Sequence, residues 1–504
     1  MPTNSYNGGI VIPNPHRVEH VGITTVSLPD KVVLPLNESI TDKAVPCVSI
    51  GEKVLTGQVI ATNKDYDSVP IHATISGQVT AIDDQLIAHK SGLKTLCITI
   101  QSDGKDEWIE HQDAIDNYLN LAPSVLISKI RQAGIVGMGG AGFPTHIKLG
   151  LFGLANTCKT IIINGTECEP GIMCDDALMQ SHPEKIIIGV KVLLHICGAE
   201  KAIIAIEDDK IDALSALNKH INDERISTEL IPTKYTSGSE KLLIKALFNR
   251  EISSGGFAIE EGVVCQNIST VKAIFDAIID SKPLVSRIVT VTGSGISSPD
   301  NYEVRLGSSF DNIASLSKLS NEKHSIRIGG MMMGIDLHTM SVPISKTSNC
   351  IFINNETPKN DVKECIRCGT CNQACPIGLL PQQLYWYSKG ENTEKAIDYN
   401  LLDCIECACC SYVCPSHIPL VNYFSFAKAL HFKKIEEQKK TDIARERFEY
   451  REYRLDRNKI ERAEMMEAKK KAIKEKMAKE KSQKDKIAAA MERVGTNKNN
   501  NKNE

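Results

Sequence analysis

Between about residues 20 and 100, apolar and polar positions alternate in short runs separated by turn residues. The runs are Lys31-Val32-Val33-Leu34, Gly51-Glu52-Lys53-Val54, Gly57-Gln58-Val59-Ile60-Ala61 and Thr74-Ile75-Ser76-Gly77-Gln78-Val79. Such brief alternation predicts strands, and their clustering predicts an all-β module. From about 120 to 280 the pattern changes: β-branched runs such as Thr160-Ile161-Ile162-Ile163 and Ala202-Ile203-Ile204-Ala205-Ile206 alternate with helical stretches. That order predicts an α/β domain with a largely parallel sheet, whose loops beyond the strand ends bind ligands. From about 285 to 355 strand-like pieces return, including Arg287-Ile288-Val289-Thr290-Val291-Thr292, with Gly329-Gly330 and Gly334 marking turns, which predicts a small mixed domain. Beyond about 433 the apolar anchors thin into a charged run. Its Ala, Glu, Lys and Met favour an exposed helix, and its Asn/Lys-rich end, Thr496 to Glu504, predicts disorder. The longest apolar stretches, such as Ile186-Ile187-Ile188 and Val192-Leu193-Leu194, are interrupted by Lys191 and His195. None approaches the roughly 20 residues that cross a bilayer, so any membrane association is expected to be peripheral.

A chain of 504 residues exceeds what one core usually serves and predicts several domains. Its 42% hydrophobic and 24% charged residues are those of a soluble globular protein, and the formal charge of −3 argues against a general nucleic-acid partner. The charge is unevenly spread. From residue 433 onward 23 Lys+Arg face 15 Asp+Glu, an excess of eight, which leaves the preceding body at −11. A basic helix of this kind is either a solvated face or a contact for anionic lipid or partner subunits. The start, Met1-Pro2-Thr3-Asn4-Ser5, has no basic stretch followed by an apolar core and does not read as an export signal, so a cytoplasmic location is expected. There the 17 cysteines point to metal ligands, redox chemistry or buried thiols rather than disulfides.

Spacing decides among these. Cys365-x-x-Cys368-x-x-Cys371-x-x-x-Cys375-Pro376 is followed by Cys404-x-x-Cys407-x-x-Cys410-x-x-x-Cys414-Pro415, two full copies of the bacterial ferredoxin ligand run. In such runs the fourth cysteine serves the sister cluster. One [4Fe–4S] cluster is therefore assigned to Cys365, Cys368, Cys371 and Cys414, and the other to Cys404, Cys407, Cys410 and Cys375. Structural zinc is the alternative, disfavoured by the third cysteine and the Cys-Pro ending of each run. Cys409 fits the spacing less well than Cys410 and is read as a non-ligand beside the cluster. The other eight cysteines show no pair spacing and are expected mostly to be buried. Clusters only pass single electrons, so another group must feed them.

A glycine-rich stretch offers the feeder: Gly137-Met138-Gly139-Gly140-Ala141-Gly142-Phe143-Pro144-Thr145-His146-Ile147-Lys148. Its glycines permit close approach to a phosphate, Pro144 suits a helix start, and Lys148 favours an anion. By itself the stretch could equally be a tight turn. It resembles the FMN loop of the flavin subunit of respiratory complex I, and three further elements in the same order agree. Asn164-Gly165-Thr166-Glu167-Cys168-Glu169-Pro170-Gly171 is similar to that family's "N-x-x-E-x-E-P-G", while Tyr235 to Lys241 and Gln266 to Thr270 resemble its later flavin and nucleotide elements. The amino-terminal strands resemble the barrel-sandwich family of lipoyl and biotinyl domains. Lys64 lies near the modified lysine of those domains, although Asn63 and Asp65 do not match the usual attachment context.

Together with the two cysteine runs, these modules resemble the C-subunit family of Rnf/Rsx ion-translocating oxidoreductase complexes over about residues 10 to 430. The resemblance implies a multidomain α/β plus β chain. Its parts are a barrel-sandwich hybrid domain (1–110), an FMN/NADH-binding α/β domain like the complex I flavin subunit (115–282), a β-grasp-like domain (283–356), a two-cluster ferredoxin-type α domain (357–432) and a charged helical and disordered tail (433–504). It implies noncovalent FMN, with Gly137, Gly139, Gly140, Gly142 and Lys148 around its phosphate side and Asn164, Glu167 and Asn267 near the flavin. Phe143 would stack on NADH, and Glu169 and Glu240 would line its site. Each role has a plain alternative: Phe143 in the core, Glu240 a solvated charge, Asn164 a strand-end cap. Met138, Thr166 and Gly238-Ser239-Glu240 depart from the complex I pattern and bear on the nucleotide contacts, and a second aromatic is displaced to Phe152. The family further implies hydride transfer from NADH to FMN with single electrons passing onward through the clusters. Its partners would be the iron–sulfur B component of the complex, the integral membrane components and ferredoxin, on the cytoplasmic side of the inner membrane. A soluble NADH dehydrogenase and a non-enzymatic polyferredoxin adaptor are the rival readings.

Overall fold

The structure is a computed structural model and describes residues 7–13, 22–37, 44–63, 65–89, 92, 94–110, 117–153, 158–320, 324–355 and 361–499. Lys64 lies outside them, as does the side chain of Phe152. The chain divides into two compact units, Met1–Ala427 and Lys428–Glu504.

In the first unit, the amino-terminal strands form two small antiparallel sheets. One orders Lys31–Pro35, Lys94–Ser102, Gly77–Leu86 and Lys53–Val54; the other orders Val45–Pro46, Val59–Thr62 and Ile71–His72. Alternation turns Val32, Leu34, Val79, Ile98 and Ile100 into a shared core, all of them buried.

The α/β region is built on four parallel strands, Thr160–Gly165, Lys201–Glu207, Ile226–Ile231 and Val263–Asn267. The isoleucine runs make them: a parallel sheet is covered on both faces, so its strands read as nearly continuous β-branched sequence. Ile161, Ile162 and Ile163 are fully buried. Helix Pro183–Cys197 packs on the sheet, with proline at its first turn and Gly198 ending it at φ +59°. The strands lie in the order 226–231, 201–207, 160–165, 263–267, so the chain leaves Thr160–Gly165 in one direction and returns on its other side at Val263–Asn267. A sheet of this kind opens its ligand crevice at that reversal, beyond the carboxyl ends of the two strands. Asn164 and Asn267 are register partners there.

The third sheet orders Thr24–Thr25, Asp300–Arg305, Ser286–Thr292, Cys350–Asn355, His324–Ile328 and Ile335–Leu337. Ser286–Thr292 and Cys350–Asn355 run parallel at its centre, flanked by antiparallel neighbours, and helix Phe310–Leu316 lies between the two hairpin halves in the chain. The cysteine-rich region is held by short helices, Thr370–Ala374, Pro381–Lys389, Thr393–Asp398 and Cys409–Tyr412, and by a core of its own around Leu384, Tyr385, Leu401 and Phe424.

The last helix runs from Leu420 to Asn499. Its part in the second unit is almost wholly exposed and carries i,i+4 pairs such as Lys440–Glu436 and Arg457–Glu461. The disorder expected over Thr496 to Glu504 does not begin at Thr496, because the helix continues through Asn499; residues 500–504 lie outside the described residues. Extending an established helix costs far less than nucleating one, so weak formers at its end are carried along.

Candidate functional site

The glycine-rich loop sits at the sheet's reversal. Gly137 N donates to Phe143 O at 2.8 Å and Gly142 N to Gly137 O at 3.1 Å, closing a tight loop whose tip, Gly139 to Ala141, is exposed. Met138 N donates to Thr270 Oγ1 at 3.0 Å, and a Cβ on Gly139 would lie 3.2 Å from that of Asn267. The loop is thus pinned over the end of Val263–Asn267. Phe143 is 43% exposed, which excludes the core alternative and leaves its ring free to stack. Helix Thr145–Gly153 follows and carries Lys148, whose Nζ pairs with Glu240 Oε2 at 2.7 Å. Both side chains are about one-third exposed, so the pair is weak enough for an anionic ligand to displace.

The two asparagines are engaged with the backbone. Asn164 Nδ2 donates to Gly238 O at 2.8 Å, and its Oδ1 accepts from Thr166 N and Oγ1, which draws the Tyr235 to Ser239 loop over the strand end. Asn267 caps helix Ile268–Ile278 by accepting from Ser269 N, and donates to Asp175 Oδ2 at 2.7 Å. Thr145, Thr236 and Gln266 are buried, yet Thr145 Oγ1, Thr236 Oγ1 and Gln266 Nε2 have no hydrogen-bond partner among the described residues. Unsatisfied buried donors and acceptors cost free energy, and three of them in the segments bordering one crevice fit a polar ligand that supplies their partners.

Beneath the crevice lies a carboxylate network that sequence reasoning missed. Glu167 accepts from Asp175 N at 2.9 Å, Asp176 N at 3.2 Å and Cys174 Sγ at 3.2 Å, holding the start of helix Cys174–Ser181. Its own N–H donates to Glu207 Oε2 at 3.3 Å. The buried Lys210 is placed 3.4 Å from Asp176. Burial, then the Asp175 carboxylate, push the Glu167 pKa up to about 8; burial raises Glu207 to about 7. Glu167 therefore faces the protein's own amides. Glu169 is likewise engaged, with Oε1 accepting from Met332 N and Met333 N, each at 2.7 Å. The glycine runs that read only as turns, Gly329-Gly330 and Gly334, hold this second anchor: a Cβ at Gly330 would sit 1.6 Å from Glu169 Cγ.

The cysteine runs converge as their spacing implies. One cavity is lined by Cys365, Cys368, Cys371 and Cys414, with Ile366, Tyr385, Ile418 and Leu420 around them. A second is lined by Cys375, Cys404, Cys407 and Cys410, with Ile377, Leu379, Leu384 and Phe424. Each fourth cysteine thus lies in the sister run's cavity. Cys409 lines neither, and is fully buried against Tyr235 and Cys407. Among the described residues no three Cys, His, Asp or Glu converge on a point that would hold a single ion. Four thiols around an open apolar cavity fit a polynuclear cluster better than zinc. Hydrogen bonds from Leu379 N to Cys375 Sγ (3.4 Å) and Thr370 Oγ1 to Cys368 Sγ (3.3 Å) are of the kind that tune such centres.

Comparison with known proteins fixes the family. The chain is 43% identical over 466 residues to the C subunit of the ion-translocating oxidoreductase complex of Serratia proteamaculans (strain 568), covering 91% of this chain and 66% of that protein. It is 42% identical over 463 residues to the protein of that name from Yersinia pestis bv. Antiqua (strain Antiqua), covering 91% and 74%. The chain belongs to the C-subunit family of ion-translocating oxidoreductase complexes. The Haemophilus influenzae (strain PittEE) member is 43% identical, covering 84% of this chain and 65% of that one. The chain thus spans just under two thirds of the length of the Serratia and Haemophilus members. Family models agree in order: the RnfC barrel sandwich hybrid domain matches residues 4–105, the Nuo51 FMN-binding domain 130–276 and a 4Fe-4S dicluster domain 364–418. This member of the family accordingly has barrel-sandwich, FMN-binding-type and ferredoxin-type portions in that order.

The flavin-side and cluster-side regions touch. Tyr235, in the loop drawn in by Asn164, donates its hydroxyl to Cys407 O at 2.7 Å, and Lys241 Nζ lies 3.6 Å from Asp403 Oδ1. Among the described residues no helix is long and apolar enough to cross a membrane.

Proposed function

We propose that this chain is the NADH- and FMN-binding iron–sulfur subunit of a membrane complex that couples electron transfer between NADH and ferredoxin, or another low-potential acceptor, to ion translocation. The observation that carries the reading is the Tyr235–Cys407 hydrogen bond, which joins the loop bordering the flavin crevice to the rim of a four-cysteine cavity. FMN would supply conversion between hydride transfer and single-electron transfer, and two [4Fe–4S] clusters would supply the onward path. Lys148 holds the phosphate side at the start of its helix, aided by the Gly137–Gly142 amides, and exchanges its partner Glu240 for the ligand. Phe143 offers its exposed face to the nicotinamide nucleotide, with Glu240, once released, at the edge of that site. Asn164 and Asn267 set the crevice floor through the backbone they brace. Glu167 and Glu169 act one layer further out, the first by fixing helix Cys174–Ser181 and the second by fastening the 330–333 loop.

In this reading Cys365, Cys368, Cys371 and Cys414 hold one cluster, and Cys404, Cys407, Cys410 and Cys375 hold the other, which faces the flavin. The central parallel pair of the third sheet supports a β-grasp-like domain at 283–356. The protein would sit peripherally on the cytoplasmic face of the inner membrane, with the iron–sulfur B component, the integral membrane components and ferredoxin as partners. Anaerobic purification tests the cofactors: about one FMN, eight iron and eight acid-labile sulfide per chain are expected. Zinc without sulfide would refute the cluster assignment, and a chain that binds no FMN would favour a bare electron adaptor.

A further inference from the structure

One short segment near the start of the chain joins neither of the two barrel sheets. Residues 7–13 precede the barrel strands, and Gly8, Gly9 and Ile10 reach two distant parts of the chain at once. Ile10 N donates to Tyr235 O at 2.8 Å and Tyr235 N returns a bond to Ile10 O at 2.9 Å, an antiparallel bridge across more than two hundred residues. One residue earlier, Gly9 N donates to Ala374 O at 3.0 Å. Gly8 follows at φ +72°, and a Cβ there would lie 2.2 Å from Cys375 O and 2.9 Å from Pro376 Cα. Only glycine allows this backbone both the conformation and the approach. Ile10 and Ile12 close the joint, packing with Tyr235, Ala374, Cys407 and Cys409.

Both contacts are pointed. Tyr235 belongs to the loop that Asn164 holds over the crevice, and its hydroxyl reaches Cys407. Cys375 is the cysteine that crosses from its own run into the Cys404, Cys407 and Cys410 cavity. Three consecutive residues thus grip the crevice loop on one side and the crossing cysteine on the other. Their bonds are backbone bonds, which fix separation without adding a charged group.

We propose that Gly8–Ile10 is a positioning strap that sets the separation between the flavin crevice and the Cys375, Cys404, Cys407 and Cys410 centre. This rests on the electron path given under Proposed function. Electron transfer between two held groups is steep in their separation, so a strap that limits opening of the joint governs the step between them without touching either reaction.

The test uses the assembled complex and two variants. Ile10→Pro removes the N–H that bonds Tyr235 O, and Gly8→Val drives a side chain into Cys375 O. Val11→Ala is the control, because Val11 is 78% exposed. Expected in both variants are unchanged FMN and iron content and unchanged NADH-to-ferricyanide activity. Amide exchange at 234–238 and 370–376 should accelerate by about tenfold or more, as one to two hydrogen bonds are lost. Cluster reduction by NADH, followed by rapid-freeze EPR, should slow by a similar factor. Unchanged exchange, or faster exchange with an unchanged rate of cluster reduction, would overturn the positioning role. If NADH reduces no cluster in the unaltered complex, the electron path itself fails and the positioning role falls with it; a failure confined to the variants leaves that path standing.

Discussion

Replacing Lys210 by Met probes the carboxylate network beneath the crevice with a single change. Lys210 is 5% exposed, and its Nζ lies 3.4 Å from Asp176 and 3.9 Å from Asp209, while its charge also lowers the proton affinity of Glu167 and Glu207. Methionine keeps the length of the chain and removes the charge, leaving buried carboxylates without their cation. Breaking a buried pair in this way costs about 3–5 kcal/mol. At about 2–4 °C per kcal/mol for a domain of this size, the melting temperature should fall by roughly 6–20 °C at pH 8. The pH dependence follows from the raised carboxyls. Glu167 binds its proton more tightly when folded (about 8) than when unfolded (4.5), as does Glu207 (about 7). Their contribution is therefore fully present below about pH 4.5 and is lost as pH rises through 7 and 8. At pH 5 both are largely protonated and need the lysine less, so the variant's deficit should shrink. Scanning calorimetry at fixed rate on the FMN- and iron-loaded chain at pH 5 and pH 8 measures both. An equal deficit at the two pH values, or a larger one at pH 5, would refute the network's described charge state.

Cys375→Ala should lower anaerobically purified iron from about eight to about four per chain and abolish the EPR signal of the centre whose remaining ligands are Cys404, Cys407 and Cys410; loss confined to the Cys365 centre would disprove the crossing. Lys148→Ala should weaken FMN binding by about 1.5–3 kcal/mol, measured by flavin fluorescence titration, while Glu240→Gln, which frees Lys148, should leave it unchanged or tighter. Equal weakening by both variants would mean that the Lys148–Glu240 pair, rather than Lys148 itself, matters. Gly330→Ala must displace the loop from Glu169 and lose bonds to the Met332 and Met333 amides, each worth about 1.5–3 kcal/mol, and an unchanged melting temperature would show that Glu169 does not anchor that loop.

The parts of this molecule legible in its sequence are those written in local spacing. Two cysteine runs suggest which thiols belong together, and the structure places Cys414 beside Cys365, Cys368 and Cys371 and Cys375 beside Cys404, Cys407 and Cys410. Isoleucine runs at 161–163 and 203–206 announce parallel strands because burial on both faces leaves no room for alternation. What sequence hides is the direction a side chain takes. Glu167 and Glu169 lie in a flavin-type motif, yet their carboxylates turn to the Asp175, Asp176, Met332 and Met333 amides, a choice decided by segments up to 164 residues away. Backbone-only contacts are equally silent. Nothing in Gly8-Gly9-Ile10 signals Tyr235 as its partner, and nothing in Thr24-Thr25 signals the sheet edge at Tyr302 and Glu303, because neither pairing imposes a side-chain pattern.

The central claim is that electrons from NADH reach the cysteine-bound centres by way of the flavin crevice. Anaerobic stopped-flow mixing of the assembled complex with NADH tests it most directly, with flavin absorbance and cluster EPR followed together. Flavin absorbance should bleach first, the Cys375, Cys404, Cys407 and Cys410 centre should be reduced next and the Cys365, Cys368, Cys371 and Cys414 centre last, and complex stripped of FMN should show neither reduction. Clusters reduced by NADH equally fast in the stripped complex would contradict it.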